Sequence, residues 1–308
     1  MRKEVPDMKY FEKPLDNNGS YAKFYLQEPN QEIDSNRLYP SLVICPGGAY
    51  FWTSFREDES VALRFLAEGF HVIVVHYATE GLKRMASDDI AQLPANPVSA
   101  FPRPLVALAK AVSYLKENAA SFHVDLNYVV VGGFSAGGHI ASQLGTHWHK
   151  TWLQELLGKD KELYRPTHLL LAYAAYALSA DTDSEIFDKV TFAATGYTHP
   201  SQELLEKLNA IANVSPYTPP SFVWHTMEDS LVPASNALKY CQALDEVNVP
   251  YELHIFNKGK HGLVLGDLRT GINESNQNAQ VYKWVDLFLE WLSPIKTNRF
   301  SFHKPQKG

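Results

Sequence analysis

A serine held between glycines is the first group in this chain that could do chemistry. Residues 128–139 read YVVVGGFSAGGH, with Ser135 in the middle and glycines at positions 133 and 137. A tight turn from a strand into a helix strains the serine backbone and leaves no room for flanking side chains. A helix-capping serine explains one small residue but not glycines on both sides. The pattern therefore favours a serine nucleophile, provided that other segments supply its partners.

The serine needs a base, and His261 is the best candidate among twelve histidines. A hydroxyl is a weak nucleophile near neutral pH unless its proton is removed. His261 follows the last predicted strand in the sequence KGKHG, and ligands of open parallel sheets bind at the carboxyl ends of the strands. His76 and His254 lie within strand patterns, where a structural imidazole is the simpler interpretation.

The base in turn needs a carboxylate that orients the imidazole and stabilises its protonated form. The sequence HTMEDSLVP places Glu228 and Asp229 just after the preceding predicted strand. We prefer Asp229, because Val232 and Pro233 then begin the next helix three residues later. Glu228 remains the alternative.

Negative charge on a reacting carbonyl needs backbone N–H donors, each worth about 3 kcal/mol in known cases. The N–H of Ala136, directly after Ser135, is one candidate, and the sequence CPGGAY after an earlier predicted strand is another. A simple Pro-Gly-Gly turn explains the second segment without any function. The chemistry assembled in this way is two-step acyl transfer, which requires no metal or other cofactor.

The elements that must position these groups alternate along the chain. Strands are predicted at residues 21–27, 41–45, 70–77, 128–132, 168–173, 222–226 and 251–256, and helices at 57–68, 104–117 and 276–292. This alternation predicts an α/β fold with a mostly parallel central sheet and helices on both faces. Residues 21–27 alternate in polarity, which suits an edge or antiparallel strand.

Residues 1–293 are predicted to form a single catalytic domain, followed by a mobile tail at 294–308. Small cap inserts are expected at about 78–103 and 178–220, where long stretches separate the predicted strands.

Composition narrows the class of partner. The formal net charge is -6, so neither a nucleic acid nor an anionic membrane has electrostatic support as a partner. The N-terminus lacks the apolar region of a secretory signal, and no segment reaches about 18 uninterrupted apolar residues. We expect a cytoplasmic protein whose two cysteines, Cys45 and Cys241, are reduced core residues.

The four motifs together resemble the α/β-hydrolase superfamily, in particular its esterase and lipase branch with acetylxylan-esterase-like, feruloyl-esterase-like and hormone-sensitive-lipase-like members. The matching segments PGGAY, HYATEG, GFSAGGHIAS, HTMEDSLVP and GKHGL fall within residues 41–266. The resemblance implies an α/β-hydrolase fold. It also implies Ser135 as nucleophile, Asp229 as acid and His261 as base, in the chain order typical of that superfamily.

The resemblance further implies an oxyanion hole formed by the N–H groups of Gly48, Ala49 and Ala136. The lipase-like sequence reads His-Gly-Gly-Gly, whereas this chain has Pro46 in place of the histidine and Ala49 in place of the third glycine. Proline at that position is usual in the acetylxylan-esterase-like members. The methyl group of Ala49 is tolerable if the φ of this residue is negative.

We call the segment at residues 46–50 the oxyanion turn. Aromatic residues in or after this turn and in the second insert are candidate substrate contacts: Tyr50, Phe51, Trp52, Phe55, Phe192 and Tyr197. Such rings stack on a sugar or an aryl alcohol, but rings that cover an apolar edge explain them equally well. We expect a small-molecule ester with a short acyl group, such as an acetylated carbohydrate. An amide-cleaving hydrolase and a non-catalytic ligand-binding fold remain alternatives, and the oligomeric state, a homo-oligomer included, is left open.

Overall fold

The computed structural model describes residues 8–86, 96–178 and 185–292. In this part of the chain one sheet contains eight strands, in the order β1-β2-β4-β3-β5-β6-β7-β8. The strands are β1 Lys9–Pro14, β2 Tyr21–Leu26, β3 Tyr39–Cys45, β4 His71–His76, β5 Val124–Phe134, β6 His168–Ala172, β7 Ser221–Thr226 and β8 Tyr251–Phe256. All neighbours among β3 to β8 pair in parallel. The predicted mostly parallel sheet is confirmed.

The antiparallel end of the sheet has one more strand than the sequence predicted. Strand β2 pairs antiparallel with both β4 and β1, so β1 rather than β2 forms the edge. The sequence of β1, KYFEKP, has no apolar run that would predict a strand. Phe11 anchors it by stacking on Phe24 of β2, with ring centroids 4.8 Å apart, and its charged side chains disfavour pairing with another chain.

Helices cover both faces of the sheet, as predicted. In the described ranges they are α1 Glu59–Leu66, α2 Leu82–Met85, α3 Arg103–Glu117, α4 Ala119–Phe122, α5 Ala136–His147, α6 Thr151–Leu157, α7 Glu185–Thr195, α8 Gln202–Leu208, α9 Ser235–Glu246 and α10 Trp284–Trp291. Helices α3, α5 and α9 bury their apolar faces in one core, and α1 and α10 in another. Val43 and Ile44 of β3 belong to different cores, because successive strand residues face opposite sides.

The predicted helix at 276–292 is wrong in its first half. Helix α10 begins only at Trp284, after a 3-10 turn at Val281–Lys283. Asn278 explains the late start, since its N–H donates to the carbonyl of Gly266 at 2.8 Å and ties the chain to a preceding loop. Its side-chain oxygen then accepts the N–H of Gln280 at 2.9 Å.

The segment that precedes α3 packs against the last turn of α7. The hydroxyl of Ser99 donates to the carbonyl of Ala193 at 2.8 Å, and the N–H of Phe101 donates to that of Ala194 at 2.8 Å. The two regions predicted as inserts are therefore in contact. Residues 87–95 and 179–184 of those regions, and the predicted tail at 294–308, lie outside the described residues.

Both cysteines are buried and form no disulfide. Burial raises the pKa of both thiols, that of Cys241 to about 12, which suits small core residues rather than nucleophiles. Within the described ranges, no helix has the length and apolar character needed to cross a membrane.

Candidate active site

Ser135 lies between β5 and α5 in a strained backbone conformation. Its φ is 52° and its ψ is -119°, a combination that costs of order 1–3 kcal/mol. A Cβ at Gly133 would lie 2.3 Å from the carbonyl oxygen of Gly137, and a Cβ at Gly137 would lie 2.0 Å from that of Cys45. Backbone packing therefore requires glycine on both sides of Ser135, as expected of a sharp strand-to-helix elbow.

The loops after β7 and β8 bring an acid and a histidine to Ser135. The Oγ of Ser135 lies 2.8 Å from Nε2 of His261, and Nδ1 of His261 lies 2.6 Å from Oδ2 of Asp229. An imidazole protonated at Nδ1 would donate to the carboxylate and accept from the hydroxyl. The side chain of His261 is 17% exposed and that of Asp229 is fully buried, so a substrate can reach the imidazole while the acid stays shielded.

A second histidine contacts the carboxylate of Asp229. Nε2 of His225 lies 3.2 Å from Oδ2 of Asp229 and 2.8 Å from the carbonyl oxygen of Val232. Burial opposes ionisation of Asp229, but hydrogen bonds from His225 and His261 outweigh it and hold the pKa of this carboxyl below its usual range. The sequence pattern did not single out His225, and its one signal is its place at the carboxyl end of a predicted strand.

Glu228, the alternative acid, is exposed and bonds elsewhere. Its Oε2 accepts the N–H of Gly259 at 3.0 Å. In the described part of the chain, the only carboxylate hydrogen-bonded to His261 is that of Asp229. The geometry therefore favours Asp229 as the orienting acid.

The turn after β3 presents unpaired N–H groups near Ser135. Among the described residues, the N–H groups of Gly48, Ala49 and Ala136 have no protein acceptor. The carbonyl of Gly48 accepts the N–H of Phe51 at 2.9 Å, which closes the turn. Ala49 has a φ of 53°, so the negative φ that was the condition for a tolerable methyl group is not met. An alanine in this left-handed region costs about 1–2 kcal/mol. The rest of the structure therefore keeps the turn in a strained conformation.

Most of the chain matches a known family model. Residues 26–244, more than half of the chain, match the BD-FAE family model. The chain belongs to the BD-FAE family. The matched span includes the Ser135 elbow, the oxyanion turn and Asp229, and ends before the His261 loop. The resemblance to the esterase branch of the α/β hydrolases is confirmed.

Solved structures similar to this BD-FAE chain extend over nearly its whole length. The carboxylesterase Cest-2923 from Lactobacillus plantarum WCFS1 is 27% identical with a TM-score of 0.77, covering 93% of this chain and 98% of that one. An acetyl ester-xyloside bifunctional hydrolase from Caldicellulosiruptor lactoaceticus is 26% identical with a TM-score of 0.70, covering 95% and 98%. Endo-1,4-β-xylanase B of Butyrivibrio fibrisolvens is 27% identical over 85% of this chain, but the match spans only 39% of that xylanase.

A small cavity of about 50 Å³ adjoins Ser135 in this BD-FAE protein. Its wall is mostly apolar and includes Ala49, Tyr50, Ala136, Phe187, Val190 and Leu231. Phe187 and Val190 belong to α7, so an element outside the sheet closes one side. Two larger surface hollows of about 540 Å³ include no residue of the Ser-His-Asp chain, so the small cavity is the one relevant to chemistry at Ser135.

One polar side chain in that wall, His139, is kept neutral. Burial lowers the pKa of His139 to about 4. The hydroxyl of Tyr50 lies 2.8 Å from its Nδ1 and the carbonyl oxygen of Leu208 lies 2.7 Å from its Nε2, so both ring nitrogens have partners. The ring nitrogens of His139 are therefore already hydrogen-bonded to the protein, and the cavity suits an uncharged group.

Of the aromatic residues predicted to contact substrate, Tyr50 alone lines the cavity. Phe51 has no exposed surface and lies in the core, which corrects the expectation of a substrate contact there. Trp52 is half-buried and packs against the same core. Phe55 and Tyr197 are exposed, whereas Phe192 is buried. The simpler explanation, rings that cover an apolar surface, applies to Phe51 and Phe192.

A second buried carboxylate near Ser135 was not indicated by the sequence. Glu57 is 4% exposed, and its Oε2 accepts the N–H of Gly47 in the oxyanion turn at 2.5 Å. It follows exposed Phe55 and half-buried Arg56, and its segment, FREDES, has the charged pattern of an exposed helix start. Only its tertiary contacts distinguish it from its acidic neighbours.

Proposed function

We propose that this protein is a carboxylic ester hydrolase that acts through an acyl-enzyme on Ser135. The single observation that carries the proposal is the continuous hydrogen-bonded chain from Ser135 Oγ through His261 to Asp229. The similar carboxylesterase and acetyl ester hydrolase structures support the same reaction class.

The proposed reaction has two acyl-transfer steps. His261 Nε2 removes the proton of Ser135 as Oγ attacks the ester carbonyl, and the imidazolium then protonates the departing alcohol. The same imidazole next deprotonates a water that hydrolyses the acyl-enzyme. Asp229, ionised because its pKa is lowered, stabilises the imidazolium in both steps.

The oxyanion formed in each step needs donors that are already in place. The N–H groups of Gly48, Ala49 and Ala136 have no acceptor among the described residues, and in our proposal they bind this oxygen. Each such donor lowers the barrier by about 3 kcal/mol in known enzymes. The strain at Ala49 and Ser135 fits a site whose backbone is fixed before the substrate arrives.

The cavity supports a short acyl group. A volume of about 50 Å³ beside Ser135 suits an acetyl group better than a long acyl chain. We propose acetyl-type esters of sugars or small alcohols as substrates, in line with the acetyl ester-xyloside hydrolase to which the chain is similar. The cytoplasmic location and the single catalytic domain at 1–293 stay predictions.

A substrate panel tests this proposal. We expect the highest kcat/KM with p-nitrophenyl acetate and acetylated xylose, a fall at butyrate, and little turnover of decanoate or of an anilide. The Ser135→Ala variant should lose activity by about a thousandfold or more while keeping its fold. Preferred cleavage of the anilide would point to an amidase instead. Failure of a fluorophosphonate probe to label Ser135 in the native protein would point to a ligand-binding role and sink the proposal.

A further inference from the structure

Glu57 lies at the junction of the oxyanion turn and the base. Its Oε2 accepts the N–H of Gly47 at 2.5 Å, and its Oε1 accepts the hydroxyl of Tyr173 at 2.7 Å. A backbone N–H can only donate, so the carboxyl group must accept at Oε2. With Tyr173 donating to the other oxygen, both oxygens are acceptors, as in an ionised carboxylate.

Glu57 and Ser135 both approach the position that a side chain on Gly47 would occupy. A Cβ built on Gly47 would fall 2.9 Å from Glu57 Oε2 and 2.9 Å from the Cβ of Ser135. The carboxylate of Glu57 and the proposed nucleophile therefore share the small space that the missing side chain of Gly47 leaves free. Any shift of Glu57 would move Gly47, and with it the N–H groups of the next two residues.

Tyr173 connects the same carboxylate to the base. Its ring lies 5.1 Å from the ring of His261, at an interplanar angle of 74°. Tyr173 is buried and has a φ of 37°, so it is held in this position by its surroundings. Tyr173 thus contacts both Glu57 and His261, whereas Asp229 bonds directly to Nδ1 of the imidazole.

The preceding residue, Arg56, holds the loop of the base. Its guanidinium donates to the carbonyl of Gly262, next to His261, at 2.8 Å and to that of Thr270 at 2.5 Å. One 3-10 turn, Phe55–Glu57, thus binds the histidine loop through one side chain and the oxyanion turn through the next.

Burial and the nearby charges act on the ionisation of the Glu57 carboxyl group. Burial raises the pKa of Glu57 above its usual value, and hydrogen bonds from Tyr173 and Gly47 and the positive charges of His261 and Arg56 offset part of that rise. Among the described residues, Tyr173 and Asp229 are the other ionisable groups in contact with His261, and His225 contacts Asp229; Lys260 on the same loop bonds to Ser275.

We propose that Glu57 is a positioning residue of the ester-cleaving site, which fixes the oxyanion turn through Gly47 and whose negative charge stabilises His261 in its protonated form. This inference rests on the proposed function. Asp229 would then share with Glu57 the stabilisation of the imidazolium. The effect of Glu57 on the oxyanion is indirect, through the position of backbone N–H groups.

The test is the pH dependence of kcat/KM for p-nitrophenyl acetate in Glu57→Gln. Glutamine has the same size, its amide oxygen can still accept from Gly47, and its charge is zero. Without the negative charge, protonation of His261 becomes less favourable, so the acid limb should move to lower pH by about half a unit to one unit, less than direct contact gives. We expect kcat at the optimum to fall about tenfold.

Two further variants separate charge from geometry. Glu57→Asp keeps the charge but shortens the reach to Gly47, so its acid limb should stay at the wild-type pH while kcat falls. Glu59→Gln, at an exposed glutamate two residues away, should match the wild type in both.

An unmoved acid limb in active Glu57→Gln overturns the inference whatever happens to kcat, because a purely structural role would change kcat alone. If the acid limb of the kcat/KM profile moves as far in Glu57→Asp as in Glu57→Gln, the role assigned to the charge is overturned as well. An inactive wild type that takes no fluorophosphonate label would instead overturn the proposed function.

Discussion

Phe187 of α7 offers the sharpest test of the acyl cavity. The cavity next to Ser135 is about 50 Å³ and Phe187 forms part of its wall. In Phe187→Ala the lost ring leaves space that two extra methylenes of a butyryl group can fill. Each buried methylene contributes about 0.8 kcal/mol, so two give about 1.6 kcal/mol, which is roughly fifteenfold in kcat/KM. We therefore expect the butyrate-to-acetate ratio to rise by roughly fifteenfold.

The assay is kcat/KM on p-nitrophenyl acetate, butyrate and hexanoate, with Ser135→Ala as the background. Phe55→Ala is the matched control, since Phe55 is 82% exposed and does not line the cavity. A thermal melt shows whether the variant is folded at the assay temperature. If Phe187→Ala keeps acetate activity but changes the ratio by less than twofold, the wall does not set the acyl length and the reasoning is refuted.

Two other predictions concern the acid and the buried histidines. Asp229→Asn should lower kcat by about 10⁴-fold, as loss of the orienting carboxylate does elsewhere, whereas Glu228→Gln should stay within a few-fold of the wild type; a larger loss from the glutamate change would reverse the assignment. Burial lowers the pKa of His71, His139 and His147 to about 4. The folded state therefore favours their neutral forms, and stability present above pH 6.5 is lost as pH falls toward 4, by about 3 kcal/mol for each histidine. Urea titrations at pH 7.5, 6 and 5 measure this, and a free energy of unfolding that does not change would contradict it.

The sequence revealed those parts of the site that are encoded in short segments. Ser135 was visible because the elbow demands glycine on both sides, and His261 because it follows a strand that ends at the same edge. Glu57 and His225 were not visible, because neither has a local requirement on its neighbours. Their contacts, with Gly47 ten residues away and with Asp229 four residues away, form only when the intervening turns fold.

The fold likewise has elements that local sequence patterns predict and elements that depend on tertiary contacts. The strands with apolar runs were all predicted, since burial on both faces leaves a continuous hydrophobic pattern. Strand β1 was missed because one stacked ring, Phe11 on Phe24, anchors a segment that is otherwise polar. The start of α10 was misplaced because the side chain of Asn278, rather than any change in apolar period, sets where the helix begins.

The origin of the cavity wall bears on how such an enzyme could diverge. The proposed nucleophile, acid and base follow β5, β7 and β8, whereas Phe187 and Val190 come from α7, which lies between β6 and β7 in the chain and outside the sheet. Substitutions in α7 can therefore alter which acyl group is accepted without disturbing the hydrogen bonds that perform the reaction. In this proposal the reacting groups lie in the loops after the strands, and the selectivity for the acyl group lies in α7. A directed-evolution library at residues 185–195 would therefore change the substrate range at least risk to catalysis.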